Sequence, residues 1–316
     1  MPDKKTIAII GATGAQGGGL ARAMLEDAKS AFRVRAITRK PKSEKAEALA
    51  KLGAEVVQAD LDDVESLKRA FAGAYGAYCV TNFWEHFSAE KEIAQATNLA
   101  EAAKAAGVKH VIWSTLEDTR KWVPLSDTRM PTLQEKYKVP HFDAKDMANA
   151  EFAKRGVPTT YLVTSFYWDN MIHFGTGPKR GPDGTLALTM PMGDKRLPGI
   201  AVDDIGRVAY GIFKAGKEYI GKTVGIAGGM LTGRQMAEAL TKALGEEVRY
   251  NDVDPDVYRG FGFPGADEMG NMFQVKRDFN DAYCAARDIE LARKLDPELQ
   301  SFEQWLGKHK QEIPLE

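Results

Sequence analysis

The sequence has few of the features that mark extracellular, membrane-spanning or metal-binding proteins. Its 316 residues include only two cysteines, Cys79 and Cys284, which lie far apart and imply no disulfide framework. No apolar run approaches the roughly 18 residues that a membrane-spanning helix needs. The segment MPDKKTIAII has too short an apolar stretch for a signal peptide. We therefore expect a cytoplasmic protein without a membrane segment.

An excess of charge of one sign is also lacking. There are 43 Lys and Arg against 44 Asp and Glu, a net charge of −1 with the histidines neutral. That balance gives no basic footprint for nucleic acid or for an anionic membrane. We predict no metal site, because no ligand spacing relates the five histidines, which are His86, His110, His141, His173 and His309.

The first half of the chain alternates strand and helix patterns. Short apolar strands are predicted at 7–10, 34–38, 55–58, 77–81, 108–114 and 159–163. The helices predicted between them lie at 43–52, 63–72, 88–106 and 141–155. This alternation is typical of α/β proteins and predicts a Rossmann-type, doubly wound parallel sheet with helices on both faces. The polar segment 115–139 interrupts it and is predicted to be a long loop, a feature that is often functional.

After residue 165 the pattern changes to shorter elements. Strands are predicted at 186–190, 223–227 and 249–253, and helices at 202–215 and 232–244, the second with Thr232 as its N-cap. The chain length itself favours about two domains. We therefore predict a Rossmann domain at 1–165 and a smaller α+β domain for substrate or partner at 166–316. Segments within about 198–228 are expected to return to the main sheet.

The stretch TIAIIGATGAQGG, residues 6–18, carries the strongest local signal. A buried strand runs into Gly11, Gly14 and Gly17, and a helical pattern follows from Leu20. Strand, glycine turn and helix are the context of a dinucleotide-binding loop, and a glycine-rich turn without a ligand is the alternative. Gly11 allows a tight turn, Gly14 lets a pyrophosphate approach the backbone, and Gly17 lets the helix pack close to the strand. Amide groups at the helix start then face the anion.

The end of the second predicted strand indicates which dinucleotide is bound. NAD-binding proteins place an acidic residue about 20 positions after the glycine motif, on the ribose 2′-hydroxyl. Here that position falls in Thr38-Arg39-Lys40, followed by Lys42, and contains no acid. A carboxylate would repel a 2′-phosphate, whereas Arg39 can bind it with two hydrogen bonds. We therefore predict NADP(H); the alternative is that these charges are only solvated.

Two more strand ends are expected to line the same crevice, since ligands bind at the carboxyl ends of parallel strands. Asp60 and Leu61 follow the third strand and are placed to meet the adenine. Thr81 ends the fourth strand, Asn82 follows it, and both are placed near the ribose and pyrophosphate. Ordinary turn chemistry is the alternative for these residues, and for Asn82 in particular.

The residues available for catalysis depart from the usual dehydrogenase pattern. Short-chain dehydrogenase-like enzymes use a serine after the fifth strand and a Tyr-x-x-x-Lys pair on the next helix, where the lysine lowers the pKa of the tyrosine. Ser114 and Lys145 occupy two of these positions, but His141 stands where the tyrosine belongs. Tyr137 precedes Pro140, which is predicted to start the helix, so Tyr137 would leave the Lys145 face. Lys145 alone can still hold the nicotinamide ribose.

Six segments together resemble one known family. They are GATGAQGG at 11–18, TRK at 38–40, VTNFWE at 80–85, HFDAK at 141–145, FYWDN at 166–170 and FPGADEMGNMF at 263–273. This set, over nearly the whole chain, is similar to the NmrA-like family, an atypical branch of the short-chain dehydrogenase superfamily. The resemblance implies an NADP(H)-binding redox sensor without a catalytic tyrosine and with a regulatory or metabolic protein partner. Related members are quinone reductases.

The resemblance also implies which residues contact the cofactor. From the pyrophosphate to the nicotinamide they are Gly11, Thr13, Gly14, Ala15, Gln16, Gly17, Arg39, Lys42, Asp60, Leu61, Thr81, Asn82, Lys145, Tyr167 and Asn170. Two departures concern the nicotinamide side and the partner surface. A lysine that the sensor branch carries on the helix after the fourth strand falls near Ala94 here, and the loop at 115–139 is extended.

Two functions follow from these patterns. The first is a non-catalytic NADP(H) sensor, acting as a monomer or homodimer, which the histidine at position 141 favours. The second is an NADPH-dependent reductase of quinones or small carbonyl compounds, with Ser114, His141 and Lys145 as candidate catalytic residues and the histidine as proton donor. Five aromatic residues could stack on a planar substrate or, equally, pack between the domains; they are Phe83, Trp84, Phe166, Tyr167 and Trp168.

Overall fold

The computed structural model describes residues 4–316. Its strands are β1 (Lys5–Ile10), β2 (Phe32–Thr38), β3 (Glu55–Gln58), β4 (Gly76–Cys79), β5 (His110–Thr115), β6 (Thr159–Val163), β7 (Phe166–Tyr167), β8 (Lys179–Arg180), β9 (Leu186–Met190), β10 (Arg196–Ile200), β11 (Thr223–Gly225), β12 (Gly229–Thr232) and β13 (Val248–Asp252). Its α-helices are α1 (Ala15–Glu26), α2 (Glu44–Lys51), α3 (Val64–Phe71), α4 (Ala89–Ala105), α5 (Pro140–Lys154), α6 (Asn170–His173), α7 (Val202–Lys214), α8 (Gly233–Leu244), α9 (Pro255–Arg259), α10 (Ala266–Asp278), α11 (Asn280–Ala285), α12 (Ile289–Leu295) and α13 (Phe302–His309). Short 3-10 turns lie at Phe83–Glu85, Thr119–Lys121 and Lys310–Glu312.

Seven strands form one sheet in the order β11-β6-β5-β4-β1-β2-β3. Every neighbouring pair in it is parallel, which confirms the predicted Rossmann-type sheet. The strand order reverses at β1, which pairs with β2 on one side and β4 on the other. The crevice at the carboxyl ends of β1 and β4 is therefore the topological switch point, where sheets of this kind bind ligands.

The burial of β1 explains why helices cover both faces of the sheet. Ile7 and Ile9 belong to a core formed with α1, α7 and α12, whereas Ala8 and Ile10 belong to a second core formed with α3, α4 and α5. Successive strand side chains point to opposite faces, so an unbroken apolar run requires cover on both.

The packing of α7 on α1 depends on two glycines. A Cβ on Gly206 would lie 2.2 Å from the backbone nitrogen of Leu20, and one on Gly19 would lie 3.0 Å from the Cα of Asp203. The two helices therefore approach backbone to backbone.

The next strand, β11, pairs with β6, so residues 202–225 lie against the main sheet. The division of the chain at residue 165 stays a prediction.

The remaining strands form two small three-stranded sheets, β12-β10-β7 and β13-β9-β8. β13 and β9 match two predicted strands and pair parallel to each other. β7 and β10 escaped prediction because β7 has two residues and β10 contains Pro198 and Gly199, which weaken a strand pattern. Thr232 caps α8 through a capping box with Gln235, as predicted for the cap residue.

An aromatic cluster lies within the core of this second region. The Trp168 ring is 1% exposed, and its centroid lies 5.4 Å from Phe302 and 6.4 Å from Trp305. A Cβ on Gly199 would lie 2.2 Å from the indole nitrogen of Trp168. For Trp168, packing in the core is thus the correct alternative, and stacking on a substrate is wrong.

The segment between β5 and α5 is mostly irregular, as predicted. One buried carboxylate on α5 accepts hydrogen bonds from both ends of this segment. Asp143 accepts hydrogen bonds from the backbone N–H and the hydroxyl of Thr119 at 2.7 and 2.6 Å. It also accepts from the backbone N–H groups of Lys138 and Val139 at 2.9 and 3.2 Å. Burial raises the pKa of Asp143, although these hydrogen bonds oppose the rise. The loop is thereby held against the start of α5.

Candidate functional site

The glycine loop has the geometry of an anion-binding turn. Gly11 has a φ of +65°, which favours glycine. A Cβ on Gly17 would lie 2.6 Å from the carbonyl oxygens of both Ile10 and Gly11, so only glycine fits there. The N-cap of α1 is Gly14, and no side chain caps it. The first N–H groups of α1, from Ala15 onwards, are therefore left for a ligand at the carboxyl edge of the sheet.

The Gln16 side chain points away from this turn and into the protein. Its amide nitrogen donates to the hydroxyl of Tyr167 at 2.5 Å, and its amide oxygen accepts a hydrogen bond from Tyr78. Gln16 thus connects the glycine loop with β4 and β7, and only its backbone is left for the predicted pyrophosphate contact. Thr13 also lies at this edge, with its hydroxyl 3.4 Å from that of Thr38. Burial raises the pKa of Tyr78, so this hydroxyl stays protonated.

At the end of β2, Arg39 is already paired. Its guanidinium donates to Glu85 at 2.7 Å, and the two side chains are 56% and 45% exposed. Both can therefore separate at little cost, because exposed ion pairs contribute ~1 kcal/mol or less. Lys42 is exposed nearby in sequence, at the start of the segment leading to α2.

The predicted adenine contacts close a turn after β3. The Asp60 carboxylate accepts from the N–H of Asp62 at 3.0 Å, and the carbonyl of Leu61 accepts from Asn98 at 2.8 Å. Both residues are half-buried. Turn chemistry and an adenine contact are compatible at this position.

A buried ion pair between α4 and α5 contacts the residue Thr81, which follows β4. The ammonium of Lys145, on α5, lies 2.8 Å from the carboxylate of Glu92, on α4, with side-chain exposures of 10% and 0%. Thr81 connects them: its hydroxyl donates to Glu92 at 2.6 Å and accepts from Lys145 at 2.9 Å. Burial would raise the pKa of Glu92, but the charge of Lys145 and hydrogen bonds from His86, Lys145 and Thr81 lower it to about 2. Asn82, the next residue, is exposed.

His141 forms a second buried pair, with Glu268 on α10. The ring nitrogen Nδ1 lies 2.5 Å from the Glu268 carboxylate, which also accepts the backbone N–H of His141 at 2.7 Å. The side chains are 8% and 5% exposed. The other ring nitrogen, Nε2, hydrogen-bonds to no residue within 4–316. The centroids of the Trp84 and Phe83 rings lie 5.0 and 5.8 Å from that of His141.

The other predicted residues lie around these pairs with different surroundings. Ser114 is 2% exposed and interacts with Tyr78 at the end of β5. Tyr137 is also buried, and its hydroxyl is 3.3 Å from Glu90 on α4 rather than beside Lys145. Asn170 begins the short helix α6 and is half-buried.

Residues 4–316 contain no group of three or more His, Cys, Asp or Glu that could hold a metal ion. None of the helices described is long and apolar enough to cross a membrane.

Sequence reasoning missed Glu92 and Glu268, and both had a detectable signal. Glu92 falls on the apolar stripe of α4, three residues after Ala89, four before Ala96 and seven before Leu99. Glu268 lies inside the segment FPGADEMGNMF and four residues before Met272 on the buried side of α10. A carboxylate on the buried stripe of a helix needs a partner, which makes it a candidate site residue.

A parallel sheet with an uncapped glycine turn at its switch point defines the Rossmann-type dinucleotide-binding class. Within that class, the profile of the NmrA-like family matches residues 3–306, and the chain belongs to this family. Among curated proteins it is 29% identical over 298 residues to the "NmrA-like family domain-containing oxidoreductase FrzB" of Cladobotryum sp, covering 90% of this chain and 87% of that protein.

Solved structures agree with this assignment. NmrA, described as a negative transcriptional regulator, has been solved in complex with NAD and with NADP. Each complex matches with a TM-score of 0.78 and 25% identity, covering 97% of this chain and 95% of NmrA. The Citrobacter sp. triphenylmethane reductase complexed with NADP(H) matches in fold, with a TM-score of 0.75 and 21% identity over 96% of this chain and 99% of that one.

Proposed function

We propose that this protein is an NADPH-dependent reductase of quinones or aromatic carbonyl compounds in which His141, held by Glu268, is the proton donor. The observation that carries the proposal is the buried contact of 2.5 Å between His141 Nδ1 and the Glu268 carboxylate. A carboxylate on one ring nitrogen of histidine fixes the tautomer and the ring orientation, and leaves the other nitrogen for proton transfer. The histidine at the tyrosine position thus has the support that an acid–base group needs.

The residues present fit NADP(H). Only glycine fits at position 17, so α1 packs close to the end of β1, and the uncapped start of α1 supplies N–H donors for a pyrophosphate. The exposed Arg39 can exchange Glu85 for a 2′-phosphate, which offers a stronger, doubly charged partner. Calorimetry with NADP+ and NAD+ tests this choice: Arg39→Ala should lower the preference for NADP+ by about tenfold or more. An unchanged ratio would contradict it.

The roles of the chain's own residues follow from these contacts. NADPH supplies the hydride when bound. Lys145 and Thr81 hold the ribose on the nicotinamide side, with Glu92 fixing the lysine. Nε2 of His141 holds the proton for the acceptor oxygen, while Glu268 keeps the ring in place. Phe83 and Trp84, packed around the His141 ring, restrict the space there to a flat acceptor and exclude water.

Two variants test the proton donor. The full-length protein is assayed for NADPH oxidation with a panel of quinones and aromatic aldehydes. His141→Phe should reduce kcat by about a hundredfold, the usual scale of general acid catalysis, and leave NADPH binding within twofold. Glu268→Gln should lower kcat less, because it retains a hydrogen-bonding side chain. Absence of turnover with every acceptor, or full activity in His141→Phe, would refute the proposal.

A redox sensor is the second candidate, favoured by the ion pairs that already engage two of the three cations predicted to contact the cofactor. Lys145 is paired with Glu92 and Arg39 with Glu85, so binding of the dinucleotide would change these contacts. A sensor must bind the cofactor with different free energies in two of its conformations, or must bind the two redox forms of the cofactor with different free energies. Hydrogen exchange of the full chain with NADP+, with NADPH and without either compares the states. Protection near 83–92 that differs between the redox forms, without turnover, would support the sensor; identical protection would count against it.

A further inference from the structure

The carboxylate that the end of β2 lacks in sequence is supplied by a different part of the chain. Residues 38–40 contain no acid, yet the carboxylate of Glu85 lies 2.7 Å from the guanidinium of Arg39. Glu85 ends the Phe83–Glu85 turn, which follows β4, and is 46 positions from Arg39 along the chain. In NAD-binding proteins, an acid at the end of the second strand accepts the ribose 2′-hydroxyl. Glu85 is therefore placed to act as that acid.

Both members of this ion pair keep hydrogen-bonding capacity for a ligand. The contact uses one carboxylate oxygen of Glu85 and one terminal nitrogen of Arg39. Within residues 4–316, the second oxygen of Glu85 accepts no hydrogen bond and the other guanidinium nitrogens donate none. A carboxylate can accept from a hydroxyl, and a guanidinium can donate two parallel hydrogen bonds to a phosphate. The pair thus presents a free acceptor and free donors side by side.

The ion pair lies at the same edge of the sheet as the glycine turn. Ile10 and Ile37 are partners in the parallel pairing of β1 and β2, so the two strands end side by side. Immediately beyond them, the hydroxyls of Thr13 and Thr38 are 3.4 Å apart. The guanidinium and the carboxylate therefore belong to the crevice in which the dinucleotide is proposed to bind.

The turn that carries Glu85 also packs on the proposed proton donor. The centroid of the Trp84 ring lies 5.0 Å from that of His141. On the other side of Glu85, the Nε2 atom of His86 lies 3.5 Å from the carboxylate of Glu92, the partner of the buried lysine. The ion pair at the end of β2 therefore helps to hold a turn whose neighbouring residues contact both buried pairs of the site.

The two dinucleotides differ in the group that they bring to this ion pair. A 2′-phosphate repels a carboxylate and attracts the guanidinium of Arg39, so it displaces Glu85. A ribose 2′-hydroxyl is neutral and can donate to the free oxygen of Glu85 while the ion pair stays intact. Only the phosphate therefore separates the Phe83–Glu85 turn from the end of β2.

We propose that Glu85 is a specificity-determining residue that adapts one site to both dinucleotides. NAD(H) donates its 2′-hydroxyl to Glu85, whereas NADP(H) displaces Glu85 and accepts hydrogen bonds from Arg39. NADP(H) alone then loosens the turn that packs on His141. This inference rests on the dinucleotide binding proposed above and deepens it, because it assigns the discrimination between the two cofactors to a residue outside β2.

The test is calorimetric titration of the full-length protein with NADP+ and with NAD+. Glu85→Gln keeps the shape and removes the competing charge, so it should strengthen NADP+ binding by about two- to fivefold, the scale of an exposed ion pair. It should weaken NAD+ binding by about threefold or more, because a neutral amide is a weaker acceptor than a carboxylate. Glu55→Gln is the matched control, since Glu55 pairs with Arg35 at 2.8 Å elsewhere on β2 and β3, and it should change neither affinity.

Hydrogen exchange supplies a readout that does not depend on affinity. With saturating dinucleotide, residues 83–88 of the wild type should exchange faster with NADP+ than with NAD+, because only NADP+ removes the contact of Glu85 with Arg39. In Glu85→Gln, the anchoring charge is absent with either dinucleotide, and the two exchange rates should be equal.

Separate outcomes decide this inference and the proposed reductase. The inference would be overturned by a ratio of NADP+ to NAD+ affinity that is the same in Glu85→Gln and the wild type, by equal exchange of residues 83–88 in the wild type with both dinucleotides, or by a wild type that does not bind NAD+. A changed ratio without NADPH turnover by the wild type would uphold the role of Glu85 and refute the reductase.

Discussion

Replacement of Glu92 by glutamine is expected to lower the unfolding temperature by about 6–10 °C. Glu92 is fully buried, 2.8 Å from the ammonium of Lys145, and its substitution removes the paired negative charge, so that ammonium keeps only neutral partners such as Thr81. Breaking a buried ion pair by removing one partner costs roughly 3–5 kcal/mol. For a chain of this size, each kcal/mol of lost stability lowers the unfolding temperature by roughly 2 °C, which gives the expected decrease of about 6–10 °C.

The same helix offers a matched control. Glu90 pairs with Lys136 at 2.9 Å, but these side chains are 54% and 58% exposed. Glu90→Gln should therefore change the unfolding temperature by no more than about 2 °C, because exposed pairs are worth ~1 kcal/mol or less. Differential scanning calorimetry at pH 7 measures both variants. Equal shifts for Glu90→Gln and Glu92→Gln would refute the reasoning from burial.

A double variant and a pH series extend the test. Lys145→Met combined with Glu92→Gln removes both charges and should recover much of the loss, since no unpaired charge remains buried. The folded-state pKa of Glu92, about 2, lies below its unfolded value of 4.5. The unfolded state therefore binds the proton first, and the contribution of Glu92 is present above pH 4.5 and is lost as the pH falls toward 2. Glu92→Gln should lack this part of the acid dependence.

Three further outcomes are expected. Gly17→Ala puts a Cβ 2.6 Å from two backbone carbonyl oxygens and should abolish measurable NADP+ binding in calorimetry, whereas Gly18→Ala, whose Cβ meets a flexible arginine end at 3.2 Å and the carbonyl oxygen of Ala12 at 3.3 Å, should weaken it much less. Burial lowers the pKa of His110 to about 4, below its unfolded value of 6.5, so stability should fall by up to about 3 kcal/mol as the pH drops between these values, and less in His110→Gln. Asp143→Ala leaves three backbone N–H groups unpaired and should make residues 116–138 susceptible to limited proteolysis, which Asp146→Ala should not.

The elements that the sequence predicted are those set by local pattern. The strand and glycine turn at 6–18 are specified by an apolar run and by backbone conformations and close contacts that favour glycine. The first βαβ unit can therefore be predicted from the local sequence. The same is true of Arg39, whose place at the end of β2 follows from counting along a strand. The parallel order of the main sheet also follows, because alternation of strands and helices permits few other arrangements.

The partners of buried polar groups were decided by the tertiary structure. His141 and Glu268 are 127 positions apart and meet because α10 packs against the start of α5. A helical period tells which face of α10 is buried, but it does not tell which helix that face meets. The four rings around the amine of Lys276 likewise come from separate elements, and no local pattern predicts that they meet. The sequence by itself thus determined the sheet and its glycine turn, whereas the charge and hydrogen-bonding state of the buried polar groups depends on contacts between distant segments, which local pattern does not encode.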